Sequence, residues 1–400
     1  MNKGLKASKE GLSVLRDELR THLTEKILPF WERLKDEQHG GFFGYMDKAL
    51  KVNPEADKGC ILHSRILWSF STAARILGST EYRAYADWAY ESLKMFEDAR
   101  NGGVFWSVTF EGKPADTTTH TYCQAFAIYG LAAYYRLTGK QEALEKAKAL
   151  QRVIEEKCTV YNGYGEAYRV DFSPESNEKL SENGVMATRT MNTLLHVLEA
   201  YAELHRAEPD ARTAALGEKQ IDLFLRKMYN PDKHRLEVFY DDEYHPLLDM
   251  QSYGHDIEGG WLILDAAREL LPEEKQEPVR KMCLDLIESV RRRAFTDHGL
   301  KNEWVAGQAD ELRIWWVQAE TMLGLAEGWS LTGEEQWLRD LETQWATIRR
   351  MIVDPRPDGE WYWSVYEDGS LTERPMVEEW KCPYHNSRMC LLLMEKELPV

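Results

Sequence analysis

The fold is decided by a short stretch rich in glycine and aromatic residues, Gly102-Gly103-Val104-Phe105-Trp106-Ser107, which interrupts an otherwise helical pattern. Glycine accepts the backbone conformations of tight turns, and aromatic residues favour extended strands. The stretch therefore indicates a turn followed by a short strand. Similar stretches recur at residues 40–45, 162–164, 236–240, 298–300 and 359–363.

These stretches are spaced almost evenly along the chain. The glycines at positions 40, 102, 163, 299 and 359 are separated by 62, 61, 136 and 60 residues, and 136 is two units of 68. The spacing therefore predicts six units, and apolar residues three and four apart predict two helices in each. The twelve predicted helices cover residues 9–35, 58–78, 80–98, 119–138, 140–157, 183–205, 213–229, 254–270, 273–294, 311–331, 333–351 and 383–395.

Such units need neighbours, because a helical pair cannot bury both of its faces alone. No unit at either end has an obviously polar outer face, which favours a closed ring over an open array. The predicted fold class is therefore all-α, an (α/α)6 barrel of twelve helices with short β-like loops at one end. We expect these loops to wall a cleft. No linker or low-complexity run divides the chain, so residues 1–400 are expected to form a single domain.

The composition disfavours several classes of partner. The formal net charge of -17 argues against nucleic acid and anionic membranes, which bind basic surfaces, and favours a neutral small molecule. No apolar run is long enough to span a bilayer, and the first residues lead into a charged helix rather than a signal peptide. The six cysteines lack CxxC spacing, as is typical of reduced cytosolic thiols. We therefore expect a cytoplasmic protein without a membrane partner, acting as a monomer.

A candidate site begins in Ser252-Tyr253-Gly254-His255-Asp256-Ile257-Glu258, where a helix is predicted to start. Residues three apart on a helix share one face, so His255 and Glu258 can address the same small volume. A second histidine is needed to complete such a site. The best candidate is His385, far away in the sequence.

A third histidine, His196, lies one helical turn after Asn192 on a predicted helix. A single histidine on a helix is more often a core residue than a catalyst, but the presence of several such candidates favours a site. Arg65 is flanked by apolar residues on a helix that is predicted to be buried. A buried arginine needs an anionic partner, and both a carboxylate of the protein and an oxyanion of a substrate fit this role.

Two imidazoles near one carbon atom suit the removal and return of a proton. The unperturbed pKa of histidine is about 6.5, so one ring can act as a base and the other as an acid at neutral pH. Removing a proton next to a carbonyl group leaves an enediolate, whose charge needs a cation or strong donors such as Arg65. This chemistry is typical of epimerases and isomerases.

A metal site is one alternative interpretation of the same residues. His255 and Glu258, together with His196 and His385, could bind a divalent metal ion. No HExxH pattern supports this alternative. The interpretation without a metal or any other cofactor is therefore preferred.

A glycoside hydrolase is a second alternative. It would need two carboxylates, for which Glu258 with Glu320 or Asp256 are candidates. That function leaves the three histidines without a role. Cys382 could serve as a nucleophile, but packing is the more common role for such a cysteine.

Seven segments of the chain carry a family resemblance. They are KGCILHSRILW at 58–68, TYCQAF at 121–126, SENGV at 181–185, MNTLLH at 191–196, SYGHDIE at 252–258, IWWVQAE at 314–320 and EWKCPYHN at 379–386. With these segments the chain resembles, essentially from end to end, the cellobiose 2-epimerases of the N-acylglucosamine 2-epimerase superfamily. Together they are far more specific than any single motif.

The resemblance implies an (α/α)6 barrel that inverts C2 of the reducing-end glucose of a β-1,4-linked disaccharide, without metal or nucleotide. Cellobiose would become glucosyl-mannose, and lactose would become epilactose. At the matching positions, His255 and His385 would be the acid/base pair at C2, and His196 would help to open the sugar ring. Arg65 would stabilise the enediolate.

Five further residues match family positions that hold the sugar or orient the imidazoles: Tyr122, Asn192, Glu258, Trp316 and Trp380. The first three would place hydroxyl groups or orient an imidazole, and the two tryptophans would stack on sugar rings. The chain departs from the family pattern at His63, which stands where a serine or asparagine is usual. We expect His63 to lie outside the site.

The sequence leaves the preferred disaccharide and the extent of aldose–ketose isomerisation open. A related branch of the superfamily interconverts mannose or glucose with fructose on the same barrel and histidines, and it is the strongest enzymatic alternative. A non-catalytic sugar-binding protein would keep Trp316 and Trp380 but would need no proton-transfer pair.

Overall fold

The computed structural model describes residues 2–181 and 183–396, with side chains from residue 11 onwards. Glu182, in one of the seven matched segments, lies outside the described residues. Twelve long helices among the described residues alternate between an inner and an outer ring, which confirms the predicted (α/α)6 barrel. The inner helices, in chain order, are Cys60–Leu77, Thr121–Thr138, Met191–Ala207, Tyr253–Leu270, Trp315–Thr332 and Tyr384–Glu395.

The inner ring is closed. Each inner helix packs against the next one, and the sixth packs against the first. These helices are apolar on nearly every side, and in the second one each residue from Thr121 to Tyr134 is buried. A helix of this composition is stable only when it is surrounded by protein.

The outer helices are amphipathic. Gln141–Val153, for example, buries Ala143, Leu144, Ala147 and Leu150 and turns its charged residues to solvent. The outer helices are Asn2–His22 with its continuation Leu28–Glu32, Thr80–Leu93, Gln141–Val153, Ala211–Leu223, Glu277–Ala294 and Glu335–Thr347. Four of them continue directly into a five-residue π-helical turn, at Leu23–Ile27, Ile154–Cys158, Phe224–Met228 and Ile348–Ile352, and short 3-10 turns lie at Lys94–Phe96 and Glu273–Lys275.

Short antiparallel strands link neighbouring units at one end of the barrel. The pairs are Lys58–Gly59 with Ser107–Val108, Thr119–His120 with Ala167–Tyr168, Arg189–Thr190 with Phe239–Tyr240, and Arg313–Ile314 with Ser364–Val365, and a three-stranded sheet joins Met250–Ser252, Glu303–Val305 and Gln308–Asp310. A bridge between Met46 and Val377 completes the circle. In every unit the chain runs from this strand ring into an inner helix, so the N-termini of all six inner helices gather at the same end.

A second set of hairpins joins each outer helix to the strand ring. Regular strands form three of them, Thr159–Val160 with Gly163–Tyr164, Tyr229–Asn230 with Arg235–Leu236, and Phe295–Thr296 with Gly299–Leu300. In the stretch that decided the fold, Gly102 and Gly103 have φ values of +78° and +91°. A Cβ atom on Gly103 would also lie 3.0 Å from Oε1 of Gln124, so this turn requires glycine.

Four predicted helix starts are wrong in the same way. The helices predicted at 58–78, 119–138, 183–205 and 311–331 begin at Cys60, Thr121, Met191 and Trp315. In each case the two residues before the observed start belong to a strand that pairs with the next unit. The pairing partner lies about one unit away in the sequence, so a local pattern could not indicate it.

In the part of the chain that the structure describes, no helix combines the length and the apolarity that crossing a lipid bilayer requires.

Candidate active site

A cleft of about 600 Å³ opens at the strand end of the barrel. All nine residues that the sequence singled out line it: Arg65, Tyr122, Asn192, His196, His255, Glu258, Trp316, Trp380 and His385. They come from all six inner helices or the segments just before them. The structure therefore brings these residues together in one cleft, and their functional roles stay predictions.

Helix geometry explains how residues so far apart in sequence meet. The cleft residues of the inner helices lie in the first two turns after the strand ring, where all six helices converge. His255 and Glu258 are three residues apart on the fourth inner helix, and Asn192 and His196 are four apart on the third. Both spacings place the two side chains on one helix face.

His255 is held by a single side-chain hydrogen bond. Its Nδ1 atom lies 2.8 Å from Oγ of Ser252, the residue that precedes the helix. The ring centroid lies 4.9 Å from that of Trp316. Burial, with a smaller contribution from His196, lowers the pKa of His255 to about 3. The imidazole is therefore neutral at physiological pH.

His385 is held by a carboxylate instead. Oε1 of Glu320 lies 2.7 Å from Nδ1 of His385 and accepts its N–H, and Oε1 of Glu258 lies 3.8 Å from the same nitrogen. Burial, and then the positive charges of Arg65 and Arg388, lower the pKa of His385 well below its usual value. Because Nδ1 carries the proton, Nε2 of this neutral ring is free to accept another.

His196 has a different partner on its own helix. Its Nδ1 atom lies 2.8 Å from Oε2 of Glu199. Burial opposes ionisation of Glu199, but the charges of Arg388 and His196 hold the pKa of this carboxyl at about 2. The hydrogen bond with the ionised Glu199 therefore fixes the orientation of the His196 ring.

Arg65 is a buried cation that forms no salt bridge with any carboxylate in the described parts of the chain. One guanidinium nitrogen donates to the hydroxyl group of Tyr122 over 3.0 Å, and the group lies 4.1 Å from the ring of Phe126 and 4.7 Å from that of Tyr384. Among the described residues, its Nε atom has no partner. These residues supply no carboxylate for Arg65, so a substrate oxyanion stays the predicted partner.

Glu258 is an unusual carboxyl group. It is 1% exposed, and burial together with Glu320 raises its pKa to about 7. Nη2 of Arg388 donates to Oε1 of Glu258 and to Oε1 of Glu320, over 2.7 Å in each case. Glu258 therefore changes its charge near neutral pH, next to His385.

The same geometry bears on the glycoside hydrolase alternative. Such enzymes place two carboxyl groups about 5 to 9.5 Å apart on either side of the substrate. Carboxylate oxygens of Glu258 and Glu320 lie within 4.8 Å of each other, and Glu320 does not line the cleft. Asp256 is buried and accepts hydrogen bonds from the backbone N–H of Leu236 and from Gln251. Neither pair suits glycoside hydrolysis.

The metal alternative meets a different obstacle. Of its proposed ligands, the structure brings Glu258 and His385 together, and Glu320 completes a buried triad. Arg388 already donates to both of these carboxylates. Its guanidinium therefore supplies the positive charge that a metal ion would bring to this position.

Aromatic side chains form the walls of the cleft. Trp316 contacts both acid/base candidates, with its ring centroid 4.9 Å from that of His255 and 5.5 Å from that of His385. Trp380 packs edge-on against Tyr122 at 5.8 Å and Trp106 at 5.7 Å, and it keeps partial exposure to the cleft. Indole rings in these positions can stack on the C–H faces of a sugar.

Two residues that the sequence marked as doubtful lie outside the cleft lining. His63 is buried and accepts the backbone N–H of Phe42, which confirms its expected place outside the site. Cys382 is fully buried, and its Sγ atom lies 3.7 Å from Nη1 of Arg65. This packing position favours the structural role of Cys382 over a nucleophilic one.

Sequence reasoning missed three residues beneath the cleft, Glu199, Tyr384 and Arg388. The hydroxyl group of Tyr384 donates to Glu199 over 2.5 Å, and Arg388 also donates to Glu199. The available signal was their spacing, because Glu199 lies three residues after His196 and Arg388 three after His385. Glu320 had been considered only for glycoside hydrolysis, not as the partner of His385.

Comparison with known proteins gives a consistent result. The family model described as N-acylglucosamine 2-epimerase matches residues 41–387. The cellobiose 2-epimerase of Eubacterium cellulosolvens is 46% identical, over 94% of this chain and 98% of its own length.

Solved structures agree with the sequence comparisons. A sugar epimerase from a ruminal bacterium has a TM-score of 0.95 and 40% identity, covering 96% of this chain and 100% of its own. The cellobiose 2-epimerase from Bacillus thermoamylovorans has a TM-score of 0.93 and 39% identity, covering 96% and 99% of the two chains. The resemblance carried by the seven sequence segments is thereby confirmed.

Proposed function

Because this chain belongs to the N-acylglucosamine 2-epimerase family, we propose that it inverts C2 of the reducing-end glucose of β-1,4-linked disaccharides. Cellobiose becomes glucosyl-mannose, and lactose becomes epilactose. The observation that carries the proposal is a pair of imidazoles, the partly buried His255 and the buried His385, that both contact the ring of Trp316 in the cleft that Arg65 also lines.

The reaction starts with opening of the sugar ring. His196, paired with the ionised Glu199, is suited to give a proton to the ring oxygen O5. The C1–O5 bond breaks as the anomeric hydroxyl group gives its proton to solvent water, and C1 becomes an aldehyde. Ring opening is required because the proton at C2 becomes acidic only next to a carbonyl group.

Epimerisation then proceeds through an enediolate. One imidazole takes the proton from C2, the C–H electron pair forms the second bond between C1 and C2, and the carbonyl electron pair moves to O1. Arg65 and Tyr122 lie in the cleft as donors for this negative oxygen. The other imidazole gives a proton to the opposite face of C2, and the electron pair returns to re-form the carbonyl group.

The protonation states add one requirement. Burial keeps His255 and His385 neutral in the empty cleft. One ring must therefore gain a proton from solvent before it can act as the acid, and the ring that takes the C2 proton later returns it to solvent. Solvent hydrogen is consequently expected at C2 of the product.

The disaccharide preference is supported by the cleft and by the relatives. A volume of about 600 Å³ lies within the range of about 300–1,000 Å³ typical of small-molecule sites. The relative with 46% identity carries the name cellobiose 2-epimerase. Binding energy from the second sugar can then contribute to the reaction at the first.

Product analysis with cellobiose, lactose and mannose as separate substrates tests this function. We expect kcat/KM for cellobiose or lactose to exceed that for free glucose or mannose by at least about tenfold, which corresponds to about 1.4 kcal/mol. Equal or better efficiency on mannose, with fructose as the main product, would instead assign the chain to aldose–ketose isomerisation, which passes through the same enediolate.

We also propose that residues 1–400 form one catalytic domain. The enzyme works as a monomer in the cytoplasm, without a cofactor, nucleic acid or membrane partner. The six free, buried cysteines are compatible with a reducing compartment, and the charge of -17 disfavours polyanionic partners.

A further inference from the structure

One buried guanidinium connects three buried carboxylates, of which one lines the cleft and two lie beneath it. Arg388 lies on the sixth inner helix, three residues after His385, and is 0% exposed. Its Nη1 atom donates to Glu199, and its Nη2 atom donates over 2.7 Å to each of Glu258 and Glu320. These carboxylates come from the third, fourth and fifth inner helices, so a single side chain ties four of the six helices together.

Two of the carboxylates hold catalytic imidazoles. Glu199 lies 2.8 Å from Nδ1 of His196, and Glu320 lies 2.7 Å from Nδ1 of His385. A single carboxylate therefore separates the guanidinium from each of two imidazoles: His196, which is proposed to open the sugar ring, and His385, which is proposed to transfer a proton at C2. No other arginine or lysine in the described ranges bonds to carboxylates of both imidazoles.

We propose that Arg388 is a positioning residue that orients His196 and His385 together, through Glu199 and Glu320. The inference rests on the proposed function, because it assigns one partial reaction to each histidine. The planar fork of a guanidinium can bond to several carboxylates in fixed directions, which the single ammonium group of lysine cannot do. Rings 4.1 Å away in Tyr384 and 4.7 Å away in Trp261 fix the plane of this fork.

Removal of the fork has a defined consequence. Oxygen atoms of Glu258 and Glu320 share one Nη2 atom, so without it their charges repel each other at short range. Glu320 then takes up a proton or moves, and Nδ1 of His385 loses its acceptor. Glu199 loses a charged partner at the same time, although Tyr384 still donates to it.

Two partial reactions measure separately the effect of Arg388 on His196, through Glu199, and its effect on His385, through Glu320. Enzyme-dependent mutarotation of lactose reports ring opening alone. The ratio of deuterium exchange at C2 to mutarotation reports the proton transfer for each opened ring. Glu199→Gln should lower mutarotation with little effect on the ratio, and Glu320→Gln should lower mainly the ratio.

Arg388→Lys is the decisive variant. We expect both mutarotation and the exchange ratio to fall by about tenfold or more, since a misplacement of about 1 Å can cost up to 10²-fold in rate. Arg206→Lys is the matched control. Arg206 lies at the other end of the barrel, where it donates hydrogen bonds to Glu203 over 3.0 Å and to Asp265 over 2.9 Å. Its substitution should therefore leave both readouts unchanged.

The proposal is overturned if Arg388→Lys lowers neither readout or only one of them. Arg388→Gln, which keeps hydrogen-bond donors without the charge, serves as the second variant, and thermal unfolding accompanies each measurement. If both Arg388 variants fail to fold while Arg206→Lys folds, Arg388 is a structural residue and the positioning role is rejected. If the unsubstituted enzyme turns over mannose but not lactose, the disaccharide proposal fails, and the same ratios measured with mannose still test Arg388.

Discussion

The two ends of the barrel interior are built from the same six helices but differ in how their charges are paired. At the strand end, Arg65 forms no salt bridge with any carboxylate of the described residues. At the far end, each of four arginines pairs with a carboxylate over 2.6 to 2.9 Å: Arg75 with Glu395, Arg136 with Glu203, Arg206 with Asp265, and Arg268 with Glu327.

This difference separates a binding end from a structural end. A buried charge without a counter-charge costs stability, so an arginine such as Arg65 is expected where a ligand can supply the counter-charge. A sugar with its hydroxyl groups and a developing oxyanion would supply it at the strand end. At the far end, the arginines that line a smaller cavity of about 200 Å³ already form salt bridges with carboxylates of the protein. These salt bridges hold neighbouring helices together.

The strongest way to sharpen this comparison is to remove the acid/base pair. His255→Ala and His385→Ala should each lower turnover by about 10²-fold or more, the usual contribution of a general acid or base. Substrate binding should change less, because the aromatic walls stay in place. Turnover and KM with lactose are the measurements, and near-normal turnover in both folded variants would refute the acid/base assignment.

The second largest effect is expected from Arg65, compared with an arginine of the far end. Arg65→Met should lower kcat by about 10²-fold, because it removes a preorganised donor for the enediolate. Its melting temperature should hold or rise, since an unpaired buried charge is lost. Arg136→Met, which breaks the pair with Glu203, should lower the melting temperature and leave kcat unchanged.

The reverse pattern would contradict the division into two ends. If Arg65→Met destabilised the fold and Arg136→Met abolished activity, the unpaired arginine would be a structural residue and the far end would take part in the reaction.

A smaller effect is expected at the cleft wall. Trp380→Ala should lower kcat/KM for cellobiose by about two- to tenfold, since stacking on a ring contributes about 0.5–1.5 kcal/mol beyond burial. The loss should be larger for the disaccharide than for mannose if the indole flanks the second sugar. Equal losses on both substrates would place its contact on the first sugar alone.

The smallest effect concerns the stability of the protein at different pH values. Burial raises the pKa of Glu258 from 4.5 to about 7. A raised folded-state pKa gives stability that is fully present below the unfolded value and is lost as pH rises through about 7. Glu258→Gln should therefore raise the melting temperature by a few degrees at pH 8 and change it little at pH 4.5, while activity falls.

Thermal unfolding of Glu258→Gln and the unsubstituted enzyme at both pH values checks this expectation. A destabilised variant at pH 8 would show that the ion pair with Arg388 outweighs the burial of the charge.

The sequence predicted the barrel because its units repeat. Apolar periodicity and the turn signals near Gly102 and Gly163 are local, and they recur often enough to define six units. The starts of the inner helices could not be predicted in this way. Thr190 pairs with Phe239, almost fifty residues later, and only this tertiary pairing ends the strand and begins the helix at Met191.

The surface of the candidate site was predicted in part. Nine of the residues that line the cleft were singled out from the sequence, because they include types with evident chemistry, such as His255 and Arg65, and the family resemblance connects them. The layer beneath could not be predicted, because Glu199 and Arg388 act through contacts between helices 189 residues apart in the chain. A charged residue on an apolar helix is visible in the sequence, but its partner is not.

The most direct test of the account follows the hydrogen at C2. The enzyme is incubated with lactose in deuterium oxide, and nuclear magnetic resonance measures the deuterium at C2 of the epilactose formed. The account predicts deuterium at C2 of the epilactose formed by the unsubstituted enzyme. It predicts no deuterium incorporation at C2 with His255→Ala or His385→Ala. Epilactose that retained the original hydrogen at C2 would contradict proton transfer by two imidazoles that exchange with solvent.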